Sequence, residues 1–256
     1  MITKIKEQTL LTRNNNKTMK GEKLGYRTYI LYMSAWKFNP KGKNVCSHAS
    51  QGCAESCLVG SGMGGIYTQV KAGRLKRTEW YLRNRVSFLN KLRSEIEKAI
   101  LLNNKANEKS EEQTILTFRL NGTSDLPYEN MRVFEGDKNI FELFPDVQFY
   151  DYTKNYLRFK KPLPANYHLT FSRSETNHAK SIELLKAGFN VAMVFDKLPT
   201  TYLGYEVING DKDDLRFLDK TNCIVGLKYK NMTGKGANNA LAFESGFAIR
   251  TKELVK

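Results

Sequence analysis

Cys46, Cys53 and Cys57 fall within the run Cys46-Ser-His-Ala-Ser-Gln-Gly-Cys53-Ala-Glu-Ser-Cys57, three of the four cysteines in the 256-residue chain. Thiolates are soft ligands that suit iron-sulfur clusters and zinc. Three closely spaced sulfurs can hold three corners of a [4Fe-4S] cubane and leave one iron open, and this is the first reading of the run. A zinc alternative adds His48 as fourth ligand of a closed tetrahedral site, strained by the single residue between Cys46 and His48. A third reading is a loop of reduced thiols or one disulfide. Cys223, in the apolar run Cys-Ile-Val-Gly-Leu, reads as a small buried hydrophobe.

Gly60, Gly62 and Gly64 follow the cysteines, where glycine lets backbone amides approach a bound group. Gly60, Gly62 and Gly65 satisfy the letters of the dinucleotide-binding pattern G-x-G-x-x-G, but that pattern needs a strand before it and this one has a cysteine loop. Further on, short apolar runs end in polar loops. Asn121, Ser124 and Asp125 close one and are expected to bind a ribose, a phosphate or an amino-acid head group, against a plain Asx-type turn. Asp151 and Lys154 close the next as an acid/base or anion-binding pair, or as an ordinary surface ion pair. Ser172, Arg173 and Glu175 close a third, with Arg173 clamping an anion and Glu175 a ribose or amine, unless one of them only caps the helix beginning near Asn177. Asp211, Asp213 and Asp214 lack the spacing of a calcium loop and read as a solvated turn. His168 and His178 stand apart, with no nucleophile in view, so a triad hydrolase has little support.

The elements that carry these loops follow from periodicity. Tyr26 to Ser34 is the first strand; six more begin at Ile115, Val147, Tyr167, Val191, Tyr205 and Cys223. Ile66 to Asn103 has helical spacing, with a break expected at Gly73, and Asn103 to Gln113 reads as a polar connection. A further helix is expected over Asn177 to Ala187 with Gly188 as its stop. Strands alternating with helices imply α/β architecture: a complete or partial TIM-type (β/α) barrel with parallel strands and the three-cysteine loop after the first strand. A doubly wound open sheet is the alternative. In a barrel every loop named above shares one mouth with the cysteines. The expected organisation is a basic N-terminal arm, residues 1–25, and a single domain over 26–256.

The formal charge of +15 and the pI of 9.6 predict attraction to polyanions, with nucleic acid as the natural partner. Lys71, Arg74, Arg77 and Arg83 on the long helical stretch are the candidate phosphate contacts, against an ordinary solvated helix face. No run reaches the length of a membrane span and the N-terminal residues lack an apolar signal core, so a cytoplasmic location is expected.

Several motifs together resemble the phage "gene product 88" family: the cysteine run, Arg119-Leu-Asn-Gly-Thr-Ser-Asp125, Phe144-Pro-Asp-Val-Gln-Phe-Tyr-Asp-Tyr-Thr-Lys154 and Leu169-Thr-Phe-Ser-Arg-Ser-Glu175. The resemblance implies a phage or prophage origin, hence the cytoplasm of a bacterial host, and carries over no assignment of catalytic residues. More distantly, a three-cysteine loop after the first strand is similar to that of radical S-adenosylmethionine enzymes, although six and three residues separate the cysteines here and three and two are usual there. That likeness implies a [4Fe-4S] cluster, S-adenosylmethionine and an enzyme; the positive charge alone points to nucleic acid or a nucleotide as its substrate. The alternative is a non-enzymatic nucleic-acid-binding protein stapled by an iron-sulfur or zinc site.

Overall fold

Successive side chains of a strand point to opposite faces, so the apolar-polar alternation of each run decides which side is buried against helices. The computed structural model describes residues 8–13, 18–39, 42, 44–57, 67–231 and 239–254. Its strands are β1 (Leu11–Thr12), β2 (Tyr26–Leu31), β3 (Ile115–Arg119), β4 (Gln148–Thr153), β5 (Tyr167–Ser172), β6 (Val191–Phe195), β7 (Thr201–Tyr202), β8 (Tyr205–Asn209), β9 (Ile224–Lys228) and β10 (Ala248–Ile249). All seven expected strands are among them. The helices are α1 (Thr18–Glu22), α2 (Gln51–Glu55), α3 (Thr68–Arg83), α4 (Arg85–Asn107), α5 (Ile140–Leu143), α6 (His178–Lys186) and α7 (Leu241–Glu244).

The strands join in the order β1-β2-β3-β4-β5-β6-β9-β8-β7, with β10 beside β6. Only β1 and β7 pair antiparallel. From β2 to β6 sheet order follows chain order, and right-handed crossovers taken in one direction leave every connection on the same face. There Phe88, Leu89, Leu92 and Ile96 of α4 pack against Leu31, Leu116, Phe118, Phe149 and Leu169. Burying each such side chain contributes roughly 1.5–3 kcal/mol. The step from β8 back to β9 runs the other way, so its connection crosses the opposite face. Phe217 of that connection lies 5.4 Å from the rings of both Tyr26 and Tyr150.

The protein is therefore mixed α/β with a large, mostly parallel sheet. A complete barrel is not what the pairings form: among the described residues β1 and β7 end the sheet and no pairing joins them. Both ends are antiparallel, whereas closure of a parallel barrel needs a parallel partner at each seam.

Two details depart from the sequence expectation. The long helical stretch breaks at Asn84 (φ −148°, ψ 85°) rather than Gly73, because the Asn84 side chain accepts the Ser87 N–H at 3.0 Å and caps α4. Gly73 stays inside α3, at a cost near 1 kcal/mol that its neighbours absorb. The second helix then runs on to Asn107, through residues expected to be a connection, and Asn103 and Asn107 both donate to Thr114 O. Ahead of Tyr26, β1 pairs with β2 and Leu10 and Leu11 donate their N–H groups to Glu95 of α4, so the described part of the leading segment is docked on the domain.

At the exit of β3, the Gly122 N–H bonds Leu31 O at 3.0 Å. A Cβ there would sit 2.5 Å from Ile30 Cγ2 and 2.8 Å from Leu31 O. Gly122→Ala is expected to destabilise the fold by about 1–3 kcal/mol, read as a lower urea midpoint at unchanged slope.

Candidate functional site

A cavity of about 260 Å³ opens where the strands leave the sheet at their carboxyl ends. Cys46, Cys53 and Cys57 all line it, together with the Asn121-to-Asp125 turn, Lys154 and Ser172. Two strand-end loops hold the cysteines. The Asp125 N–H bonds Val45 O at 2.8 Å and the Cys46 thiol donates to Thr123 O at 3.6 Å, which fixes Cys46 to the β3 exit. Cys53 lies in α2, whose cap Ser50 accepts the Cys53 N–H at 3.2 Å. Glu175, at the β5 exit, takes the Ser50 hydroxyl at 2.8 Å on one oxygen and the Gly52 N–H at 2.7 Å on the other. A Cβ at position 52 would press to 2.9 Å from those carboxylate oxygens, which is why glycine stands there.

Burial above all, with smaller contributions from the sulfurs of Cys57 and Cys53, raises the Cys46 thiol to about 12, while the Trp36 N–H works against the rise. None of the four cysteines is in a disulfide. Among the described residues no three His, Cys, Asp or Glu side chains converge as the ligands of one metal ion do. His48 is exposed, bonded to the Ser47 hydroxyl at 3.0 Å, and does not line the cavity. Cys223 is fully buried at the far end of β9, its N–H donating to Asn190.

The polar loops expected to bind a ligand are largely engaged with one another. Asn121 accepts the Leu126 N–H and the Ser124 hydroxyl, both at 2.8 Å, and donates to Asp151 at 3.2 Å. Asp125 receives the Thr153 hydroxyl at 2.7 Å, the Lys154 N–H at 2.8 Å and Arg158 at 3.1 Å. Arg158 also forks onto Glu129 with two bonds of 2.7 Å. Arg173 donates to the carbonyls of Gly246 and Phe247, so it grips the C-terminal segment. Lys154 donates to Ser172 at 2.8 Å inside the cavity. Asp211 accepts from Lys230 at 2.9 Å and from the Lys228 N–H at 2.8 Å, and Asp214 pairs with Arg119 at 2.8 Å.

Gly60, Gly62 and Gly64 lie outside the described residues. Of the basic side chains on α3, Lys71 and Arg83 are exposed. Arg77 donates to Thr9 O and Tyr32 O, and Arg74 lies 5.1 Å from the Tyr32 ring, with Nε and one terminal nitrogen buried without a bonded partner. Burial lowers the Arg74 pKa, and the charge of Cys57 acts against that lowering. Sequence reasoning did not anticipate Lys20, Tyr229 and Phe247 in the lining, nor the Arg158–Glu129 pair. No local pattern marks any of them; a lone arginine among aromatic residues, as in Tyr156-Leu-Arg-Phe, was the faint signal for Arg158.

These features define an open α/β sheet protein with a sulfur-walled, cation-rimmed cavity over the carboxyl ends of its strands. The chain matches the family model described as "Gene product 88" over residues 9–250 and belongs to that family. No curated protein and no solved structure matches it. No helix among the described residues is long and apolar enough to cross a membrane.

Glu175→Ala leaves two donors of the α2 start without their acceptor, a loss of about 1–3 kcal/mol. In the metal-free protein, Cys53 is expected to alkylate several-fold faster than in the parent, followed by peptide mass spectrometry, with Glu175→Gln between the two. Equal rates in all three proteins would remove Glu175 from this role.

A second expectation concerns Asp151, wholly buried, which accepts from Asn121 and from the Tyr167 hydroxyl at 3.0 Å. Burial raises its carboxyl from 3.8 to about 7, against the pull of Arg119 and Arg158. The folded state thus binds more protons than the unfolded state between those values. The stabilisation is complete below the unfolded pKa and is lost as pH rises through about 7. Asp151→Asn is expected to remove that part of the slope of stability against pH, measured by urea unfolding from pH 5 to pH 8.

Proposed function

We propose that this is a phage-encoded cytoplasmic enzyme of the radical S-adenosylmethionine type, in which Cys46, Cys53 and Cys57 hold a [4Fe-4S] cluster. The observation that carries this reading is that Cys46, Cys53 and Cys57 all line one cavity at the strand ends, their side chains not gathered as the ligands of one metal ion are. All-sulfur donors suit a cluster, and the exposed position of His48 speaks against the zinc alternative that relied on it. The unreversed strand order from β2 to β6 supports a partial-barrel arrangement of the site.

When bound, such a cluster supplies one electron for reductive cleavage of S-adenosylmethionine. The chain's own residues do the rest of the work. Asp125 holds the start of the cysteine run and Glu175 its middle, at Ser50 and Gly52, and Arg74 brings a cation toward Cys57. Val194, Leu227 and Phe247 give the cavity apolar walls that limit water. Lys20, Lys228 and Lys230 gather around Asp211 at the lining, leaving an excess of positive charge toward nucleic acid or a nucleotide as substrate.

Protein reconstituted without oxygen is expected to be brown, to bind about four irons per chain, and to give an EPR signal on reduction. Cys46→Ala, Cys53→Ala and Cys57→Ala should each lose most of the iron, and the parent should form 5′-deoxyadenosine from S-adenosylmethionine and dithionite. A colourless protein with one zinc per chain would reject the reading.

The exposed Lys71 and Arg83 on α3 favour a second reading, a nucleic-acid-binding module in which metal only staples the α2 loop. It predicts log affinity falling steeply with log salt, and a slope smaller by about 2 in the Lys71→Gln, Arg83→Gln double variant.

A further inference from the structure

Of the cations that line the cavity, Arg119 and Lys230 have a countercharge, while Lys20 and Lys228 are exposed to solvent. Asp214 pairs with Arg119 at 2.8 Å, Asp211 with Lys230 at 2.9 Å, and Arg158 lies between Asp125 and Glu129. Lys154 differs. Among the described residues no carboxylate lies within ion-pair distance of its ammonium, which donates to Ser172 Oγ at 2.8 Å and sits 5.8 Å from the centre of the Phe247 ring. The group is half-buried and lines the cavity, as does Ser172.

A partly desolvated ammonium facing only a hydroxyl and a ring lacks the anion that would offset its lost hydration. Its donors are also in surplus. An ammonium carries three N–H groups and Lys154 spends one on Ser172; the serine, accepting that bond, keeps its own O–H to donate. Two N–H groups and one O–H thus remain beside one another, a number that matches the three terminal oxygens of a phosphomonoester. Phe247 also packs with Cys53, which sets this donor group next to the sulfur wall.

We propose that Lys154 and Ser172 form an oxyanion subsite that takes the terminal phosphoryl group of a nucleotide substrate. The assignment rests on the cavity being the substrate site of the function proposed above, and it does not require iron to be bound. Asp125 fixes the subsite from behind by holding the Lys154 N–H and the Thr153 hydroxyl, so the lysine is presented from a rigid strand end.

The test is isothermal titration of the full chain, as purified, with inorganic phosphate, adenosine 5′-monophosphate and adenosine at constant ionic strength, with iron content measured on the same samples. The monophosphate and phosphate are expected to bind, and adenosine to bind at least about tenfold more weakly than its monophosphate. Lys154→Met, which keeps the packing against Phe247, should weaken monophosphate binding about tenfold or more, and Lys154→Arg should retain most of it. Ser172→Ala serves as the second probe should Lys154→Met lose its native circular dichroism, and is expected to weaken the monophosphate and leave adenosine unchanged. Lys98→Gln, exposed on α4 and away from the lining, removes a charge elsewhere and should leave binding intact. Adenosine binding as tightly as its monophosphate, or undiminished monophosphate binding in Lys154→Met or Ser172→Ala, overturns the assignment. Phosphate binding in iron-free protein supports the subsite, and the cluster is judged by iron content after reconstitution.

Discussion

The turn from Asn121 to Asp125 is the joint on which the open end of the sheet depends. Asp125 is a nearly buried carboxylate with three donors on it: the Thr153 hydroxyl, the Lys154 N–H and Arg158. Its own N–H reaches Val45 O, beside the first cysteine. One residue therefore ties the exits of β2, β3 and β4. A buried charge of this kind is costly unless every lone pair is answered, and removing one partner typically costs 3–5 kcal/mol. Arg158 answers it with a side chain only 2% exposed, and Glu129 and the Tyr167 hydroxyl take three more of its donors. This part of the polar network is thus paired inward, which lets it sit over an apolar layer.

A similar device holds the other half of the cysteine run. Glu175 reaches from the β5 exit to α2, while Arg173, two residues before it, reaches to the carbonyls of Gly246 and Phe247. Between these grips the C-terminal segment enters the sheet. β5 pairs with the start of β6 at Val191 and Ala192, and β10 pairs with its end at Val194 and Phe195. The late strand fills the gap left where β5 leaves its neighbour, and it brings Phe247 into the cavity wall. Short helix α2 cannot stand alone at five residues, since a single turn recovers little of its nucleation cost. It persists because Glu175 holds its start and Ala242 and Phe247 pack beside Cys53.

How far the sequence could be read follows from the range of each interaction. The seven main strands were legible because β-branched and aromatic runs bounded by polar loops are a local signal, and so was α6 with Gly188 (φ 90°) at its stop. That the cysteines, Asn121, Lys154 and Ser172 line one cavity followed from strand direction alone. The roles of Arg173 and Glu175 were not legible: their partners lie 73 and 123 residues away, and nothing local distinguishes an arginine that binds an anion from one that binds a carbonyl. The same holds for Arg77, whose carbonyl partners at Thr9 and Tyr32 are 68 and 45 residues distant. The break at Asn84 was missed for the opposite reason. Two local signals competed there, and a satisfied N-cap outweighed the weak preference of Gly73 to interrupt a helix. Closure of the sheet was beyond reach, because it depends on which strand comes to lie at each edge, and two-residue β1 and β7 carry almost no pattern.

The openness of the sheet also bears on the site. In a closed barrel of this size side chains fill the interior in layers. Here the return from β8 to β9 crosses that face and fills its lower part with Phe217 and the buried Arg216, while the upper part above Arg119 and Tyr152 stays hollow. Arg119 lies 4.8 Å from the Tyr152 ring and pairs with Asp214 from the same return segment, so the floor of the cavity is sealed by an ion pair. Charge above that floor is unevenly distributed. The floor arginine is neutralised, and the cysteine wall and the lysines of the β4 and β9 exits border the same hollow. Two walls of different character around one space give a bound molecule a defined orientation, with its anionic end drawn toward lysine. An orientation fixed by charge in this way requires both walls to be rigid, and that rigidity returns to Asp125 and Glu175.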